Sequence, residues 1–102
     1  LIRKEAVQDL QRIFGPPGSP TRTENDVFAL AAALKPAGAP YIYIDCGTAD
    51  NHLIGANREL VAAIHKTGAA YEYHEIAGAH SWDYWDRRIR VFLPILLERM
   101  KN

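Results

Sequence analysis

The chain has 102 residues, 48% of them apolar and 24% charged, and its 12 Lys and Arg balance 12 Asp and Glu for a formal net charge of zero. That length holds one small core rather than two, and the composition belongs to a packed globular chain, not a disordered or fibrous one. The charge balance leaves no electrostatic footprint for nucleic acid or an anionic membrane. Apolar runs such as 28–34 and 91–97 fall far short of the roughly 20 residues that a membrane-spanning helix needs. A single cysteine, Cys46, excludes an intramolecular disulfide and cannot by itself build a zinc site. Leu1-Ile2-Arg3-Lys4-Glu5 has neither an initiator Met nor a signal-peptide pattern, and is expected to begin after processing or within a longer protein.

Ile2, Ala6, Leu10, Ile13 and Phe14 recur at spacings of three and four, which predicts a helix over 3–14 stopped by Gly15. Gly15-Pro16-Pro17-Gly18-Ser19-Pro20 cannot continue it and predicts a loop of about ten residues. Thr23 with Asp26 resembles a cap, and 27–34 reads as a short helix ending near Gly38, so two helices precede the first strand.

After Pro40, the aromatic and β-branched run 41–46 lacks helical periodicity and suits a strand buried on both faces. Residues 53–67 place Leu53, Ala56, Leu60, Val61 and Ile64 on one helical face, with His65 and Lys66 at the negative end of the dipole and Gly68 just beyond. Tyr71-Glu72-Tyr73-His74-Glu75-Ile76 alternates as a half-exposed strand at a sheet edge does, completing a βαβ unit. Trp85, Ile89, Phe92, Leu93, Leu96 and Met100 then share a face of a helix expected over 83–100, with Asp83 and Asp86 early and Arg99 and Lys101 late. An interior Pro94 costs about 3 kcal/mol and predicts a kink or local irregularity.

The fold class is therefore α/β, with two parallel strands and flanking helices. Two strands bury too little to stand as a doubly wound sheet, and the first reads as an interior strand with one available neighbour. Residues 1–102 are expected to be a single partial domain, the C-terminal piece of a larger one. The alternatives are helices wrapping an unusually small sheet, or another copy of the chain completing it.

In open parallel sheets, working residues gather beyond the carboxyl ends of the strands. Gly47-Thr48-Ala49-Asp50-Asn51 and Ala77-Gly78-Ala79-His80-Ser81 occupy those places, on neighbouring strands, so Asp50 and His80 can meet. A carboxylate beside imidazole fixes one tautomer through Nδ1 and leaves Nε2 free to take a proton from a nucleophile. Asp followed by His about thirty residues later matches the end of a Ser…Asp…His triad.

Residues 40–102 resemble the C-terminal part of the putative-esterase branch of the α/β-hydrolases, which includes tributyrin, feruloyl and enterochelin esterases and the esterase D group. The resemblance rests on Gly47-Thr48-Ala49-Asp50, on Asn57, and on the G-x-H-x-W-x-x-W pattern of Gly78, His80, Trp82 and Trp85. It implies a serine carboxylesterase in which Asp50 is the triad acid and His80 the general base. Trp82 becomes a candidate wall of the substrate pocket, whereas Trp85 fits the apolar face of the last helix. No cofactor or metal is implied, and the expected partners are a small-molecule ester and the rest of the hydrolase domain or another copy of the chain.

The G-x-S-x-G nucleophile elbow is absent from this sequence. Ser19 lies in a proline-rich loop with no strand before it, and Ser81 reads as the cap of the last helix. The chain alone is expected to be inactive toward esters. A non-catalytic binding or assembly module on a hydrolase-like scaffold, and an acyltransferase or thioesterase of the same fold, are the competing functions. Cys46 reads as a packed small hydrophobe, His52 as a solvated loop residue, His65 as a helix-terminal surface residue, and His74 as pointing outward from its strand.

Overall fold

The computed structural model describes residues 3–101; Ile2, counted in the first apolar stripe, lies outside them. Helix α1 spans Lys4–Phe14 and ends at Gly15, whose φ of 78° is left-handed territory that favours glycine. No residue of α1 is buried, so its stripe of Val7, Leu10 and Ile13 faces solvent here.

The expected loop after Gly15 contains a further helix, α2, over Pro20–Glu24. The Ser19 hydroxyl oxygen accepts from Arg22 N–H at 3.4 Å, and Pro20 stands at the first helical position, where its missing N–H costs nothing. Reading proline as a breaker concealed a helix that it starts. Helix α3, Val27–Ala32, is capped by Asp26 rather than Thr23: the carboxylate accepts from Phe28 N–H at 2.9 Å and Ala29 N–H at 3.3 Å. Among the described residues three helices, not two, precede the first strand.

Strand β1 (Ile42–Gly47), helix α4 (Ile54–Thr67) and strand β2 (Tyr71–Ile76) form the parallel βαβ unit, in register from Ile42 opposite Tyr71 to Gly47 opposite Ile76. Helix α5, Trp82–Arg99, is continuous through the exposed Pro94. Alternation along β1 sends Ile42, Ile44 and Cys46 to one face and Tyr43 and Asp45 to the other. The first face meets α3 and α4 in a core of Ala31, Ile64 and Ala69 surrounded by Leu34, Ala39, Ile42, Ile44, Leu60 and Tyr71. On the second, Tyr43 packs against Phe92 of α5, ring centroids 4.5 Å apart, and Arg99 lies 4.3 Å over the Tyr41 ring. The sheet is thus sandwiched between helices, as an α/β fold requires. From Ile42 to Asp45, β1 is only half-buried, short of the full burial its composition predicts, because among the described residues β2 alone flanks it.

Candidate active site

Both loops in question leave the carboxyl ends of the strands, and their backbones are tied together. Thr48 N–H donates to the Ile76 carbonyl at 2.9 Å, and Ala49 N–H to the Gly78 carbonyl at 2.8 Å. A Cβ on Gly47 would overlap the Gly78 carbonyl group, and one on Gly78, at φ 152°, would overlap the Tyr84 ring. Only glycine permits this approach.

Asp50 closes a turn on Gly47, donating its N–H to that carbonyl at 3.0 Å, and its own carbonyl accepts from Leu53 and Ile54 N–H at the start of α4. Its carboxylate, 8% exposed, lies 2.9 Å from His80 Nδ1, thirty residues away in sequence. An ionised carboxylate only accepts, so in the neutral imidazole Nδ1 carries the proton and Nε2 presents its lone pair. The His80 side chain is 58% exposed, and Nε2 has no hydrogen-bond partner among the described residues. The arrangement couples a buried anion to a base open to an incoming proton donor.

Ser81 caps α5, its oxygen accepting from Tyr84 N–H at 3.5 Å, which stations His80 immediately before the helix. The ring of Trp85 stands edge-on to that of His80 at 4.8 Å, and Trp82 edge-on to Trp85 at 5.0 Å. Trp82 is 81% exposed, whereas Trp85, expected on the apolar face of the last helix, is 36% exposed and faces the histidine. The two tryptophans border a groove of about 540 Å³ that continues along Tyr43, Ile89 and Phe92.

The groove is also lined by a polar cluster that sequence reasoning missed. Asp45 accepts hydrogen bonds from the Tyr84 hydroxyl, from the Tyr43 hydroxyl at 2.8 Å and from Arg88 Nε at 2.5 Å. Burial pushes the carboxyl up, but the bonds from Tyr84, Arg88 and Tyr43 and the Arg88 charge outweigh it and hold Asp45 below the usual carboxylate range. Burial first, and Asp45 second, raise the Tyr84 and Tyr43 hydroxyls. The available signal was a charged residue within a strand otherwise read as fully buried. On the opposite face Arg58 forks onto Glu75 at 2.7 and 2.8 Å, and with Tyr73 lowers that carboxyl to about 2.

The remaining candidates stand apart from the pair. Cys46 is buried, and burial pushes its thiol up, against nucleophilic use. His52 is exposed in the turn after Asp50; His65 contacts the Tyr71 hydroxyl at 3.0 Å. His74, expected to point outward, lies against Tyr43 and contacts Glu72 at 3.0 Å. Among the described residues no three His, Cys, Asp or Glu side chains cluster as metal ligands, and no helix is long and apolar enough to cross a membrane.

No family model matches the chain. It is 35% identical over 81 residues, 78% of its length, to an acetyl esterase of Caldicellulosiruptor saccharolyticus, and spans 30% of the length of that relative. The aligned share of the chain is large enough to relate it to an esterase.

Proposed function

We propose that this chain supplies the acid and the base of a serine carboxylic-ester hydrolase, as the C-terminal portion of an α/β-hydrolase domain of the putative-esterase type. Residues 1–102 are then one partial domain, and the unpaired edge of β1 is completed by the rest of it. The observation that carries this reading is the 2.9 Å contact between the buried Asp50 carboxylate and Nδ1 of the otherwise open His80. The relationship to an acetyl esterase supports it and points to short-acyl esters as the first substrates to try.

In this reaction a serine outside the chain attacks the ester carbonyl while His80 Nε2 takes its proton. The imidazolium, stabilised by Asp50, returns the proton to the departing alcohol, and water then repeats the sequence to release the acid. Trp82 borders the bound ester. No cofactor is required.

The test is fluorophosphonate labelling of the complete polypeptide, followed by intact mass and assay on p-nitrophenyl acetate. Labelling of one serine outside these residues, with turnover abolished in His80→Gln, is the expected outcome. Absence of label, or full turnover in His80→Gln, rejects the reading.

A further inference from the structure

The Asp50 contact fixes one atom of His80 and leaves its ring plane unset. A single hydrogen bond at Nδ1 allows the imidazole to swivel, and Nε2, on the far side of the ring, moves with that swivel. Because the side chain is 58% exposed, packing constrains it on few sides. The aromatic contact that does so comes from Trp85, 4.8 Å away with the two rings at 90°. Trp82 stands at 83° to Trp85 on a 5.0 Å centroid separation and braces it in turn.

Helix geometry explains why these two residues meet. With Ser81 as the N-cap of α5, His80 is the residue before the cap and Trp85 the fourth helical residue. Side chains at those two positions commonly pack together as a staple that fixes the angle at which the chain enters the helix. Trp85 N–H donates to the Ser81 carbonyl at 3.1 Å, so the first turn is formed and the staple geometry is in place. Here the outer arm of the staple is an imidazole rather than an aliphatic side chain.

We infer that Trp85 is a positioning residue for His80: the helix-start staple sets the plane of the imidazole and thereby the direction in which Nε2 faces. This rests on the reading of His80 as the general base. One contact thus orients both the entry of the chain into α5 and the base.

The experiment compares Trp85→Ala, Trp85→Phe and His80→Gln in the complete polypeptide, by steady-state kinetics on p-nitrophenyl acetate and by proton NMR of the downfield Nδ1–H resonance, which His80→Gln assigns. Trp85→Ala is expected to lower kcat about 10- to 100-fold, the scale of a misplaced catalytic group, with KM nearly unchanged. The resonance should broaden through exchange, and Trp85→Phe, which retains a flat ring, should restore most of both signals. If Trp85→Ala does not fold, Trp85→Leu replaces it, keeping apolar volume but no ring, with the same loss expected. Unchanged kcat and resonance in the alanine or leucine variant, or equal losses in these and the phenylalanine variant, overturn the positioning role. Full turnover in His80→Gln instead overturns the base assignment, and the NMR comparison then still decides whether Trp85 orients the ring.

Discussion

Gly47 and Gly78 meet backbone to backbone, so closely that a β-carbon on the first would overlap the carbonyl group of the second. That carbonyl already accepts the Ala49 N–H at 2.8 Å, and the loops on either side carry Asp50 and His80. The separation of the two candidate residues is therefore set by main chain, which moves less readily than side chain.

Gly47→Ala tests this directly. The obstacle is a carbonyl rather than the tip of a flexible side chain, so the loops must part, at a cost of about 1–3 kcal/mol typical of overpacking. We expect a lower midpoint in urea and, in the complete polypeptide, loss of the proposed ester hydrolysis even where the variant remains folded. A variant with unchanged stability and activity would show that the loops are not set by this contact.

Asp50→Asn preserves shape while removing the charge that faces Nδ1 at 2.9 Å and that, in the proposed reaction, stabilises the imidazolium. Turnover of the complete polypeptide should fall by about 10²- to 10⁴-fold, with circular dichroism unchanged. Wild-type rates in a folded variant would remove Asp50 from the proposed reaction.

How the chain's elements were legible, and where legibility ended, follows from the range of the interactions. Strand β2 and helix α4 come within a residue of the expected bounds because alternation, helical spacing and Gly68 are local signals. The Asp50–His80 juxtaposition was readable because a parallel pair brings two successive strand ends together. Helix α2 was hidden because five residues carry no periodicity and its proline acts as a starter. Asp45 was passed over because its partners, Tyr84 and Arg88, lie about forty residues downstream on α5, and sequence spacing does not reveal which helix residue reaches which strand.

Those partners make the Asp45–Arg88 pair a stability element. The two side chains are 10% and 15% exposed, so removing one leaves the other's charge largely buried. Arg88→Met or Asp45→Ala should each cost about 3–5 kcal/mol in chemical denaturation, and the double substitution less than their sum. Strict additivity would mean that the two residues act independently.

Stability should decline at both pH extremes, and besides Asp45, Tyr43 and Tyr84 on the α5 side, two groups on the α4 side of the sheet contribute. Glu75 has its carboxyl lowered to about 2 by the bonds from Arg58 and Tyr73, against about 4.3 in an unfolded chain. A lowered carboxyl contributes stability that is present above the unfolded value and lost as pH falls through the folded one. Urea midpoints should therefore drop between about pH 4 and 2, more steeply in the wild type than in Glu75→Gln. Tyr73 runs in the opposite sense: burial first, then Glu75, push its hydroxyl up to about 12. Its contribution is complete below the unfolded value of about 10 and disappears as pH rises toward 12. Absorbance at about 295 nm, where phenolate absorbs, should rise together with unfolding above pH 10, and Tyr73→Phe should soften the alkaline loss. Parallel wild-type and variant curves at either end would place the pH dependence in other groups.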